Sequence, residues 1–184
     1  MDFNNLFPDM NVTVAACGNM EYAANFVRKD NDNHPDVVVI HLGTNDLRQL
    51  TPEVLVNNMI DLVYLVEKHY KCSVKVSEIL PRRDNQKVKV RPTNLLLASS
   101  GLPVIGHDKI SCEHLYDEVH LGLFSVDNDL SGVQLLAKDL YVGMYGKEPP
   151  TGRLSRVQMD RSKSPSRRGN KHSFPKGNYR NTGR

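Results

Sequence analysis

No stretch of this 184-residue chain approaches the ~18 consecutive apolar residues that a membrane-crossing helix requires. The opening segment, MDFNNLFPDMNV, has no basic stretch followed by an apolar one, so it does not read as a secretory signal. Cysteine is scarce. Cys17, Cys72 and Cys112 form an odd, scattered set with no C-x-x-C pair, which argues against a disulfide framework and a common zinc module. A reducing, intracellular location is the expectation, with no membrane partner. No motif calls for a cofactor.

What is there has an ordinary soluble composition, with 39% hydrophobic and 24% charged residues. The net charge of +3 conceals a division. Residues 1–146 carry 13 Lys and Arg against 19 Asp and Glu, a net of −6. Residues 147–184 carry 11 against 2, a net of +9. The expectation is an acidic folded body over 1–146 and a basic tail over 147–184. From Pro149 onward there is too little apolar surface to offset chain ordering, so disorder is expected there.

Within the body, strand and helix signals alternate. Asn11–Ala16 (NVTVAA) predicts a short strand that ends at Gly18-Asn19, and Glu21–Arg28 a short helix with Tyr22 and Phe26 on one face. The uninterrupted run Val37–Ile40 fits a strand of a parallel sheet. Thr51, Pro52 and Glu53 are suited to a helix start, and Leu55, Met59, Leu62 and Val66 recur at helical spacing behind them. Ser73–Leu80 predicts a strand, Arg82–Val88 a charged loop, Asn94–Ser99 a helix and Pro103–Ile105 a short strand. Ser131 and Gln134 have capping-box spacing for a last helix, closed by Pro149-Pro150. The fold class is therefore α/β, an open parallel sheet flanked by helices on both faces. In such sheets the chemistry lies at the C-terminal strand ends.

Two segments there carry candidate chemistry. Gly43-Thr44-Asn45-Asp46 follows a buried strand, and an Asn amide in that place can direct an N–H at an anionic oxygen. Turn and cap chemistry accounts for the same residue types. Tyr116-Asp117-Glu118-Val119-His120 places Asp and His three apart, so that a carboxylate can orient an imidazole as general base. An ordinary surface Asp–His contact has the same spacing.

Together, the G-x-N-D block after a strand and the D-x-x-H block before the last helix resemble the SGNH (GDSL-like) hydrolases. More narrowly, VVVIHLGTNDL, VSEILPRRD, YDEVHL and GVQLLAKDLY are similar to esterase domains in open reading frames of animal non-LTR retrotransposons and their derivatives. The resemblance spans most of 11–145. It implies a three-layer fold and ester hydrolysis through an acyl-serine. It also implies roles residue by residue: Gly18 and Asn45 in an oxyanion hole, His120 as base and Asp117 as its orienting acid.

The chain departs from that pattern in two places. No Gly-Asp-Ser occurs anywhere in it, so the block that would carry the nucleophile is missing and no residue is assigned that role. Ser73 and Ser77 lie along a strand and Ser131 caps a helix, so none sits at a strand-to-helix elbow. The expectation is an N-terminally truncated or derived member without appreciable esterase activity, lacking a strand that would be central in the sheet. Either Asn11–Ala16 then pairs beside Val37–Ile40, or the sheet has a gap and exposed edges. The second departure is an insert over Gly122–Leu130.

Other groups are weaker candidates. His107, Asp108, Cys112, His114, Asp117 and His120 cluster in sequence without zinc-ligand spacing, so no metal site is assigned. Cys17 reads as a buried thiol, and His41 and His69 as structural or surface residues. Arg82 and Arg83 suit either a site entrance or a solvated loop. The tail supports a rival function, RNA or DNA binding through phosphate contacts from residues such as Arg161, Lys163, Arg167 and Arg168. Oligomeric state is left open by the sequence.

Overall fold

The computed structural model describes residues 11–123, 130–150 and 154. Three parallel strands, β1 (Val37–Ile40), β2 (Ser73–Ser77) and β3 (Val104–Ile105), form one sheet in the order β1-β2-β3. Four helices accompany them: α1 (Met20–Lys29), α2 (Pro52–Tyr70), α3 (Lys87–Ser99) and α4 (Gly132–Tyr145). This is the expected α/β class.

Side-chain alternation along the strands divides the interior. Val38, Ile40, Val74 and Val76 join Met20, Leu55, Met59, Leu62, Val66 and Leu97 from α1, α2 and α3. Val39 and Ile105 join Leu135, Leu136 and Leu140 of α4 on the other face. Among the described residues three helices thus cover one face and a single helix the other. Burial of each large aliphatic side chain contributes roughly 1.5–3 kcal/mol. Helix α2 starts as expected, with the Thr51 hydroxyl accepting from the Val54 amide and Pro52 in the first turn. Its four periodic residues are all buried.

Several expectations need correction. Asn11–Ala16 forms no strand. Val14 is exposed, and Val12 packs with Ala137 and Tyr141 beside α4. A β-branched run becomes a strand only where a neighbouring strand pairs with it and buries one face, and among the described residues none does. The three strands are contiguous, without an internal gap, and the outer edge of β1 pairs with no strand among the described residues.

In α1 the core face is Met20, Ala23 and Val27, while Tyr22 and Phe26 are exposed. Strand β2 ends at Ser77 rather than Leu80. Beyond it the Asn94 side chain takes over as a ladder partner, accepting from the Ile79 N–H and donating to the Ile79 carbonyl, each at 2.9 Å. Helix α3 begins seven residues before the expected Asn94 and passes through Pro92. The Thr93 hydroxyl donates to the Lys89 carbonyl one turn back, at 2.7 Å. In α4 the Ser131–Gln134 capping box forms as read. The helix stops at Gly146, whose left-handed φ of 68° ends it before the prolines. Most of the expected basic tail (151–153 and 155–184) and residues 124–129 of the expected insert lie outside the described residues.

Gly43, with φ 106°, turns the chain out of the sheet directly against Ile79, and a Cβ there would lie 2.5 Å from Ile79 Cδ1. Gly101, with φ 79°, has open space around it. Gly43→Ala combines positive-φ strain with overpacking and is expected to cost about 2–4 kcal/mol, against roughly 1–2 kcal/mol for Gly101→Ala. Urea unfolding of the two variants measures the difference.

Candidate functional site

At the C-terminal end of β1 the chain turns at Gly43 and enters a short 3-10 turn over Asp46–Arg48. This turn is tied to the segment before α1. Asn45 Nδ2 donates to the Gly18 carbonyl at 2.7 Å, and Asp46 Oδ1 accepts from the Met20 amide at 3.3 Å. The structure therefore brings the two oxyanion-hole candidates, Gly18 and Asn45, together. One amide N–H of Asn45 is directed at the Gly18 carbonyl. Burial pushes the Asp46 carboxyl up from the usual range. A cavity of about 540 Å³ beside Asn45 runs between α1 and α2, and neither Asp117 nor His120 lines it.

Asp117 and His120 occupy a tight loop. An antiparallel bridge between Leu115 and Leu121 and the Tyr116 amide donating to the His120 carbonyl at 2.7 Å close it. Asp117 Oδ1 accepts from the His120 and Val119 amides, both at 2.7 Å, and its Oδ2 lies 2.8 Å from His120 Nδ1. The His120 amide, then that of Val119, then the His120 ring hold the Asp117 carboxyl well below the usual range. A carboxylate can only accept, so the ring proton is assigned to Nδ1, leaving Nε2 as a free base. The His120 side chain is 79% exposed. Among the described residues no hydroxyl meets its Nε2.

Arg82 and Arg83 link these two loops. The Arg82 guanidinium donates to the Thr44 carbonyl and pairs with Asp84, and the residue is only 3% exposed. The Arg83 amide donates to the Glu118 carbonyl at 2.8 Å, and its guanidinium to the Cys112 carbonyl. Arg82 is thus a buried tie rather than part of a solvated loop, and it lines a cavity of about 460 Å³ beside His107.

A second constellation went unread in the sequence. The register pairs Ile40 with Val76 and Ser77 with Ile105, which brings the next residue of the first chain segment, His41, alongside Ser77. His41 Nδ1 and His107 Nε2 each lie 2.6 Å from Ser77 Oγ, and His107 Nδ1 lies 2.9 Å from Asp139 Oδ2 on α4. Ser77 is fully buried and His107 nearly so. His41 keeps exposed surface where β1 ends, yet protein atoms crowd the ring where it reaches buried Ser77. That crowding, and secondarily His107, push its pKa down to about 4. The available signal was a polar residue at the C-terminal end of each of three strands. Asp139, inside a helix, gave none.

The other candidates disperse. Among the described residues no group of three or more His, Cys, Asp or Glu is arranged to hold a metal. His114 accepts from the Ser111 amide, and His69 contacts the Asp30 carbonyl. Burial pushes the Cys17 thiol up, opposite to what a nucleophile needs.

Compared with known proteins, the chain matches no protein-family model and no curated protein. Its fold does match solved structures. One is the crystal structure of a member of the lipolytic protein G-D-S-L family from Veillonella parvula DSM 2008, with a TM-score of 0.51 and 17% identity. The match covers 66% of this chain and 70% of that one. The open parallel sheet with its flanking helices is thus an α/β fold shared with that structure.

The folded chain favours neutral His41. Its contribution to stability is complete above the unfolded histidine value of about 6.5 and falls as the pH drops from there towards 4. Urea midpoints measured from pH 7 to pH 4 are expected to decline, and to decline less steeply in His41→Gln.

Proposed function

We propose that this chain is an SGNH hydrolase-type domain, akin to the retrotransposon esterase domains, whose Asp117–His120 site lacks its serine and does not turn over esters appreciably. The observation that carries this reading is the Asp117–His120 pair. Its hydrogen bonds hold the ring in the tautomer that a general base requires, while no hydroxyl among the described residues stands at Nε2 to be activated. The matched fold supports it, and the Gly18 carbonyl engaging an Asn45 N–H that an oxyanion would need fits the lack of turnover. Without a nucleophile such a site retains at most the small rate that comes from binding and oxyanion stabilisation.

Hydrolysis of a short-chain p-nitrophenyl ester is the measurement. The purified chain is expected to run at the background rate. A rate clearly above background that disappears in His120→Ala would refute the reading.

The charge division favours a second reading, a non-catalytic nucleic-acid-binding protein acting through the tail. The net charge of +9 over 147–184 suits polyanion binding, through Arg161, Lys163, Arg167 and Arg168 among others. Filter binding of RNA or DNA is then expected to weaken steeply between 50 and 200 mM salt, as roughly 6–10 phosphate contacts require. It is expected to vanish on deletion of residues 150–184. Binding that survives the deletion rules this reading out.

A further inference from the structure

We propose that the cavity between α3 and the 107–112 loop binds a small organic anion, one acidic group carried on a compact apolar body. The cavity holds about 460 Å³, within the roughly 300–1,000 Å³ of small-molecule sites. Gly18, Asn45, Asp117 and His120 do not line it, so it is a separate site from the Asp117–His120 loop.

Most polar groups around this cavity are already engaged. The Asn94 side chain gives its oxygen and its nitrogen to the Ile79 backbone. His107 meets Ser77 through Nε2 and Asp139 through Nδ1, so neither ring nitrogen is left for a ligand. The Arg82 guanidinium is taken up by the Thr44 carbonyl and the Asp84 carboxylate. These side chains therefore serve as wall, together with the aliphatic Val90, Leu95, Ala98 and Ile110. Leu95 is 61% exposed there, so the chain itself leaves apolar surface of this wall in water. An apolar ligand body removes that surface from solvent.

Lys87 and Arg91 supply the charge. They stand four residues apart on α3, hence on one face and one turn from each other, and both line the cavity. Helix α3 holds no Asp or Glu to pair with them. Among the described residues neither takes part in an ion pair. Glu78 is the single carboxylate among the described lining residues, and its Oε2 accepts from the His107 amide at 3.4 Å. Two unpaired cations against one carboxylate leave the mouth positive. A neutral apolar guest would cover Leu95 and leave both cations unused. A hydrophilic anion would pair with the cations and leave Leu95 in water. An acid on an apolar body satisfies both, and the Arg91 fork can hold a carboxylate- or sulfonate-like group through two hydrogen bonds.

The probe is anilinonaphthalene sulfonate, titrated into the full chain and read by its fluorescence, beside phenylnaphthylamine, which has the same rings without the acid. Saturable binding of one equivalent is expected, about tenfold tighter than that of the neutral compound. Arg91→Glu reverses a charge at the mouth and Leu95→Asp removes apolar wall. Each is expected to weaken binding about tenfold or more. Both residues are exposed, so the variants keep the fold, which circular dichroism checks. Arg161→Glu makes the same change of charge in the basic tail and is expected to leave binding unaltered. Binding that does not saturate, or that is as tight for the neutral compound, overturns the proposal. So does binding that survives unchanged in Arg91→Glu or Leu95→Asp, or that falls as far in Arg161→Glu as in Arg91→Glu.

Discussion

Parallel pairing of β2 with both of its neighbours sets Ser77 beside His41 on one side and Ile105 on the other, and the polar end of the sheet depends on that register. A slip of one residue would turn Ser77 towards α1, α2 and α3 and leave its hydroxyl among aliphatic side chains. In the observed register it faces α4, where His107 and Asp139 complete the hydrogen bonds of an otherwise costly buried group. The same face carries Lys75, whose ammonium donates to the Gly143 carbonyl on α4 at 2.7 Å. Gly143 is where α4 comes closest to β3, since a Cβ there would lie 2.7 Å from Ile105. One helix therefore covers this face through polar contacts as well as aliphatic ones.

The loops above the sheet are held by a different device. Arg82 lies between the Thr44 carbonyl and the Asp84 carboxylate, and Arg83 continues to Glu118 and Cys112. Main-chain carbonyls of the Thr44 and Glu118 loops are thereby fixed by one short charged segment. Two polar clusters result: an exposed Asp117–His120 pair, and a buried Ser77 hydroxyl held between the His41 and His107 rings. One α/β fold carries both. They differ because the first is built from consecutive residues on one loop and the second from strand ends and a helix.

Much of the fold was legible in local pattern. Leu55, Met59, Leu62 and Val66 announced α2 and its buried face, and the Ser131–Gln134 spacing announced the start of α4. Val37–Ile40 read as a buried strand because an uninterrupted β-branched run has few other uses. The misreadings share one cause. Asn11–Ala16 has strand composition but no strand beside it among the described residues, and β2 stops at Ser77 because the Asn94 side chain replaces a strand neighbour. Helix α3 starts at Lys87, inside the segment read as a charged loop, and runs through Pro92. Each was settled by a partner distant in sequence.

The sequence by itself determined the α/β class, the charge division between 1–146 and 147–184, and the Asp117–His120 pair. All three rest on composition or on residues within a few positions of one another. Only the tertiary structure decided that Ser77, His41, His107 and Asp139 meet. Ser77 is 36 residues from His41, 30 from His107 and, through His107, a further 32 from Asp139, so their contact depends on strand register and helix placement. A carboxylate three residues from a histidine can find it within one loop, whereas a serine between two histidines requires the whole sheet.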